Sequence, residues 1–282
     1  MIIFKKSADL SIFLSNNIGT AHPVGFIPTM GALHEGHISL ITNSASRDNL
    51  TICSIFINPT QFNNPIDLNI YPVTLESDIE KLSKTGCDIL FLPLIEEIYP
   101  AGIKELEKYE LGYLGSILEG QYRPGHFQGV CQVMHRLLKV IAPENLYLGQ
   151  KDYQQCLVIK KLIELTNLSV NVIIYPTQRE SDGLAMSSRN MRLNKKERSQ
   201  AVKIYETLCF MKKELKYGHL EDLKERAKNY LEVEGFNVDY TEIADSITLQ
   251  LVNTWNDKTK LVALIAASIN DTRLIDNLLL NN

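Results

Sequence analysis

No apolar run in this 282-residue chain approaches the ~20 residues that a membrane-spanning helix needs; the longest runs from Leu261 to Ala267. The start, Met1-Ile2-Ile3-Phe4-Lys5-Lys6, lacks the apolar core of a secretory signal. A basic excess is also missing. The formal net charge is -4, which argues against bulk binding to nucleic acid, whose phosphates call for gathered Lys and Arg. An anionic small substrate stays open, provided the positive groups are collected in one place. Paired cysteines are absent too. The five, Cys53, Cys87, Cys131, Cys156 and Cys209, are odd in number and form no C-x-x-C pair. Several lie inside apolar runs, which predicts small buried thiols in a reducing compartment. There is no internal repeat and no low-complexity tract. These absences predict a cytoplasmic protein with no membrane and no nucleic-acid partner.

What remains is an ordinary globular composition, 45% apolar and 22% charged, enough for one large domain or two. Up to about residue 176, short apolar runs alternate with helical patterns. The runs, residues 24–29, 51–57, 88–92, 145–148 and 169–175, are rich in Ile, Val, Leu and Phe and do not alternate strictly, as expected of strands covered on both faces. Helices are predicted at 38–48, 129–142 and 153–165. In the second, Val130, Val133, Met134, Leu137, Leu138 and Ile141 recur at helical spacing before Pro143 stops it. Strand–helix alternation predicts an α/β fold built on a doubly wound parallel sheet of Rossmann-like type. After Pro176 the order changes. Helices at 194–216 and 219–234, with Gly218 and Gly235 as stops, precede strands at 238–244 and 261–265. This predicts a smaller C-terminal α+β domain, with residues 1–176 in the first domain and 177–282 in the second.

Ligands of such sheets bind beyond the carboxyl ends of the strands. The first polar motif there is Pro28-Thr29-Met30-Gly31-Ala32-Leu33-His34-Glu35-Gly36-His37. A helix start offers N–H groups and a positive dipole end, which suits phosphate. His34 and His37, three apart, face the same way in the first turn. The motif is one residue short of the zinc pattern H-E-x-x-H, and it is not the G-x-x-x-x-G-K-[ST] phosphate loop. Asn58-Pro59-Thr60-Gln61-Phe62 ends the next strand and, on chemistry alone, reads as a turn. Gly149-Gln150-Lys151-Asp152 follows the 145–148 run. Lys151 is a mobile cation beside a helix start, and Asp152 is either a helix cap or a ligand. Met186-Ser187-Ser188-Arg189 is a polar loop past the domain boundary, with two hydroxyls and a guanidinium fit for phosphate.

H-x-G-H after a first strand resembles the nucleotidylyltransferase superfamily, whose members attack the α-phosphate of ATP and expel pyrophosphate. The wider blocks are similar to those of the pantothenate synthetase family. They are Pro28 to His37, Asn58 to Phe62, Arg123-Pro124-Gly125-His126-Phe127-Gln128-Gly129-Val130, Gly149-Gln150-Lys151-Asp152-Tyr153-Gln154-Gln155, and Met186-Ser187-Ser188-Arg189-Asn190. They occur in family order and cover residues 24–190. The resemblance implies ATP-dependent joining of pantoate to β-alanine through an adenylate, with Mg2+, in a homodimer. It implies catalytic roles for His34, His37, Lys151 and Arg189. It places ATP along Met30, Gly31, Ala32, Leu33, His34, Glu35, Gly36, His37, Gly149, Gln150, Lys151, Asp152, Gln178, Met186, Ser187, Ser188 and Arg189. Gln61, Gln155 and Asn58 are implied at pantoate and β-alanine, and the 123–130 block in shaping the pantoate pocket. The C-terminal domain is implied as a lid.

The chain departs from the family pattern in places. Val73 stands where an arginine is usual and Ser77 where an acid is usual, which leaves Asp78 as the expected metal ligand. Gln178 replaces an aliphatic residue. Thr272-Arg273-Leu274-Ile275-Asp276-Asn277 also matches and reads as structural. Two rival readings are a transferase that passes AMP to a phosphate acceptor, and a non-catalytic nucleotide-binding scaffold on the same fold. AMP formation from ATP and pantoate, with and without β-alanine, separates all three.

Overall fold

Strands β1 (Ile2–Phe4), β2 (Val24–Thr29), β3 (Leu50–Ile55), β4 (Ile89–Phe91), β5 (Asn145–Gly149) and β6 (Asn171–Tyr175) form one sheet in the order β1-β4-β3-β2-β5-β6. Every neighbouring pair is parallel. The computed structural model describes residues 1–17, 23–104 and 106–281. The expected strands are all present, with ends shifted by a few residues at most. β1 is an addition to them, because three residues are too short to show a period.

The sheet is apolar on both faces because successive residues point to opposite sides. Phe26, Ile52, Ile89 and Leu146 pack into a core with the Ser7–Asn17, His126–Ile141 and Tyr153–Thr166 helices. Their neighbours Ile27, Cys53, Leu90 and Tyr147 pack into a second core with the Glu35–Ala45 and Leu75–Leu82 helices. This double cover is why the strands do not alternate apolar with polar. The His126–Ile141 helix starts earlier than its apolar period, after Gly125 in the left-handed region at φ 82°.

The strand order reverses between β2 and β5, which makes that boundary the switch point. The two strands also part there. β2 pairs with β5 only at Gly25 and Phe26, while β2–β3 pairing continues to Thr29 and β5–β6 pairing to Gly149. Pro28 lies in the stretch of β2 that has left β5, so its missing N–H costs no bond on that side. The turns after β2 and β5 therefore flank an opening in the sheet.

The chain divides into two compact units, Met1–Gln150 with Gln154–Pro176, and Lys151–Tyr153 with Thr177–Asn282. The second unit is α+β. A two-stranded pair joins β7 (Gly218–His219) to β9 (Thr254–Trp255). Strands β8 (Asn237–Asp245), β10 (Leu261–Ile269) and β11 (Thr272–Leu279) form an antiparallel sheet with β10 in the middle. Leu261, Ala263, Ile265, Ala267 and Ile269 of β10 pack with Ile204, Leu208, Met211, Leu223 and Leu231. The expected 194–216 helix is two, Lys195–Ala201 and Lys203–Glu214, with β-branched Val202 between them. Asn194 caps the first in a capping box with Glu197. No helix among the described residues is long and apolar enough to cross a membrane.

Candidate active site

His34 is the N-cap of the Glu35–Ala45 helix and stays extended at φ -127°. Its Nδ1 accepts the N–H of Gly36 at 3.2 Å, and the Nδ1 of His37 accepts the N–H of His34 at 3.3 Å. The two histidines thus form a capping box, a job ordinarily done by Ser or Thr with Glu or Gln. Because both Nδ1 atoms accept, each neutral ring carries its proton on Nε2. The ring centroids lie 4.0 Å apart. The sequence predicts that backbone N–H groups of this helix start meet phosphate. The fold instead spends the Gly36, His37 and Ile38 N–H groups on His34 itself. The ring donors of this turn are the imidazole Nε2–H groups.

The loop leading to His34 is strained and strapped. Gly31 and Ala32 both have positive φ, 80° and 49°. Buried Asp78 holds it in place: Oδ2 accepts the Ala32 N–H and Oδ1 the Leu33 N–H, each at 2.8 Å, and Thr74 Oγ1 adds a third bond at 3.1 Å. Lys81 Nζ donates to the Leu33 carbonyl at 2.6 Å. Asp78 thus anchors this loop with both carboxylate oxygens, away from solvent, and takes the main-chain N–H groups of Ala32 and Leu33.

Asn58 is likewise engaged within the protein. It is 1% exposed, and its amide donates to Gln61 Oε1 at 3.2 Å and to the Gly129 carbonyl at 3.1 Å. Its oxygen accepts from Tyr99 OH at 2.8 Å and Thr60 Oγ1 at 3.1 Å. With both donors and the acceptor used, the Asn58 side chain is engaged within the protein and holds the Gln61 side-chain oxygen. Gln61 Nε2 rests on the Met30 sulfur at 2.8 Å. A thioether is a weak acceptor, so this contact binds the amide only loosely. Gly129 explains part of the 123–130 block: a Cβ there would lie 2.2 Å from the Thr60 carbonyl oxygen, so only glycine lets this helix abut the Pro59–Gln61 turn. His126 Nδ1 lies 2.8 Å from the Gln61 carbonyl, and Arg123 lies 3.0 Å from His126 Nε2.

After β5, no atom lies within 4 Å of where a Gly149 Cβ would sit. Gln150, Lys151 and Asp152 form one 3-10 turn immediately before the helix that starts at Tyr153. Adjacent Gln154 and Gln155 differ in use. Gln154 is buried and bonded to Glu119, Leu114 and Ile117, whereas half-buried Gln155 has no side-chain partner among the described residues.

The second unit carries the other cations. The Lys151 side chain is 18% exposed, and its main-chain oxygen accepts the Asn277 amide at 2.8 Å. Arg179 forms a fork on buried Asp276, at 2.6 and 3.0 Å, and stacks over Tyr205. Ser187 caps the Ser188–Arg192 turn by accepting the Arg189 N–H, and Ser188 is buried. Gln178 turns its side chain to solvent, and its carbonyl accepts the Met186 N–H. The tail motif around Asp276 therefore holds Lys151, through Asn277.

A family model described as pantoate–β-alanine ligase matches residues 2–279. A pantothenate synthetase from Cytophaga hutchinsonii is 43% identical over 99% of both chains, and one from Aquifex aeolicus is 40% identical over 98% of both. The crystal structure of pantothenate synthetase from Thermus thermophilus superposes with a TM-score of 0.90 at 35% identity over the whole of both chains. A Francisella tularensis pantoate–β-alanine ligase, solved with β-γ ATP and β-alanine, gives 0.83 at 38% identity over 100% and 98%. The chain belongs to the pantoate–β-alanine ligase family.

Within that family's pattern, the departures at Val73 and Ser77 fall on exposed side chains and leave the Asp78 strap intact. No group of three or more His, Cys, Asp or Glu side chains gathers among the described residues, and Mg2+ commonly takes one or two carboxylates together with substrate phosphates and water. Burial pushes the Cys87 thiol up to about 11 and Cys131 up to about 12, far from a thiolate at neutral pH.

Proposed function

We propose that this chain condenses pantoate with β-alanine at the expense of ATP, through a pantoyl adenylate. In the first step a pantoate carboxylate oxygen attacks the α-phosphorus, and the bond to pyrophosphate breaks. In the second the β-alanine amine attacks the acyl carbon, the bond to AMP breaks, and the nitrogen gives up its proton to solvent. Adenylation is needed because a carboxylate oxygen is a poor leaving group and AMP a good one.

The observation that carries this reading is the histidine capping box. It fixes two Nε2–H donors side by side at the end of β2, suited to the crowded oxygens of an α-phosphate in its transition state. Lys151 and Arg189, with Ser187 and Ser188, neutralise the departing pyrophosphate. Met30, Gly31, Glu35, Gly36, Gly149, Gln150, Asp152, Gln178 and Met186 line the nucleotide, with Ala32 and Leu33 holding the loop behind them. Gln61 and Gln155 hold pantoate, and a neutral amide suits a hydroxy acid because it donates and accepts without adding charge. Asn58 acts through Gln61. Mg2+ belongs in this reading as the counter-ion of the triphosphate, a companion of the substrate. Residues 1–176 bind the nucleotide and pantoate, and residues 177–282 serve as the lid that keeps water from the adenylate. On family resemblance the enzyme is a cytoplasmic homodimer, which sedimentation velocity tests.

The decisive experiment follows AMP from ATP. Purified protein with pantoate and β-alanine should give AMP, pyrophosphate and pantothenate in equal amounts. Omitting β-alanine should stop turnover after about one equivalent of adenylate. AMP transfer to a phosphorylated acceptor, or no pantoate dependence, sinks the reading.

A further inference from the structure

The His126 imidazole is held at both nitrogens, and the partners dictate its form. The Gln61 main-chain oxygen, 2.8 Å from Nδ1, can only accept, so Nδ1 carries the proton and donates. The Arg123 guanidinium, 3.0 Å from Nε2, can only donate, so Nε2 accepts. His126 is therefore a neutral ring of one defined tautomer, the opposite of the tautomer carried by His34 and His37. Arg123 is itself steadied by Glu119 Oε2 at 3.4 Å. The ring is buried, and Gly129, one turn further along the same helix, presses against Thr60 and Gln61.

We propose that His126 is a positioning residue for pantoate: its Nδ1–H fixes the peptide plane of Gln61, and so the direction in which the Gln61 amide meets the substrate. The 123–130 block then acts on pantoate without touching it. The proposal rests on the reading of Gln61 as a pantoate amide. The side chain of Gln61 is steered from two sides, by Asn58 at its oxygen and by His126 through its own backbone. Losing the His126 donor lets the Gln61 peptide rotate, while the histidine capping box is left alone.

The test uses an imbalance between two amides. Asparagine places an N–H near the position of histidine Nδ1, and glutamine places one near Nε2. His126→Asn should keep the bond to the Gln61 carbonyl, and His126→Gln should lose it. Steady-state kinetics on the full-length enzyme should show the pantoate KM raised about fivefold to tenfold in His126→Gln and His126→Ala, the scale of one hydrogen bond. The ATP KM should stay within about twofold, and His126→Asn should recover most of the loss. Gln61→Ala serves as the reference. If it leaves the pantoate KM unchanged, the pantoate reading of Gln61 fails and this proposal with it. If Gln61→Ala raises the pantoate KM but His126→Asn and His126→Gln behave alike, or ATP and pantoate KM rise together, the positioning role is overturned while the Gln61 reading stands.

Discussion

Asp78 holds Leu33 by a 2.8 Å bond from the Leu33 N–H to Oδ1, made from a side chain that is 1% exposed. The same carboxylate takes the Ala32 N–H, and Ala32 sits at φ 49° where an L-residue is unfavourable. A buried anion is tolerated here because three donors surround it, and it stabilises a loop that would otherwise relax.

Asp78→Asn should therefore act on the loop. One amide arm would face a main-chain N–H, donor against donor. The expected cost is about 3 kcal/mol of stability, the scale of hydrogen bonds to a charged group, seen as a lower denaturant midpoint. Turnover should fall because His34 follows the loop directly. The Mg2+ concentration giving half-maximal activity should not change. A large rise in that concentration would return Asp78 to metal binding.

The alternation of strands and helices and the H-x-G-H turn at the end of β2 were legible in the sequence. Apolar period and strand-end position depend on local chemistry, which a sequence displays. What was not legible was which polar residues face inward to other polar residues. Asn58 and Gln61 look equivalent on paper, yet Tyr99, far along the chain, occupies one and not the other. Nothing in the helix that carries Asp78 reveals that two N–H groups, over forty residues earlier, come to it. The tail motif around Asp276 and Asn277 carried a family match, but its contacts with Arg179 and Lys151 arise only when the chain folds back.

Two glycines should behave in opposite ways. In Gly129→Ala the new Cβ meets backbone at 2.2 Å, which no side-chain rotation relieves. Helix propensity favours alanine by ~1 kcal/mol, but overpacking against a rigid turn costs roughly 1–3 kcal/mol, and the turn carries Gln61. Stability and pantoate KM should both worsen. In Gly149→Ala the Cβ meets nothing within 4 Å. The fold should be as stable as before, and the ATP KM should rise because the space is where the nucleotide lies in the proposed reading. A Gly149→Ala enzyme with unchanged ATP KM would remove that residue from the nucleotide site.

Asn277 should matter for ATP and not for pantoate. Its amide is the donor to the Lys151 carbonyl, and the residue is 2% exposed. Asn277→Ala removes that donor, and Asn277→Asp sets a carboxylate against the carbonyl. We expect kcat/KM for ATP to fall about tenfold in the first, as for one lost hydrogen bond, and further in the second. The pantoate KM should hold. Equal losses for both substrates would mean that Asn277 only supports the fold of its unit.

The capping box makes a prediction that separates His37 as a donor from His37 as a charge. Glutamine is an ordinary residue at the third helix position of such a box, where its oxygen accepts the N-cap N–H. Its nitrogen then points onward, as Nε2–H of His37 does. His37→Gln should thus keep both the cap and the phosphate donor and retain activity within roughly tenfold. His37→Ala keeps neither and should lose roughly 10²–10³-fold in turnover, the usual scale for one transition-state donor. His37→Asn is too short to reach both and should resemble alanine. Circular dichroism checks that the helix survives in each. If His37→Gln is as inactive as His37→Ala, a positively charged or proton-transferring imidazole is required there, and simple hydrogen bonding to the α-phosphate is not the mechanism.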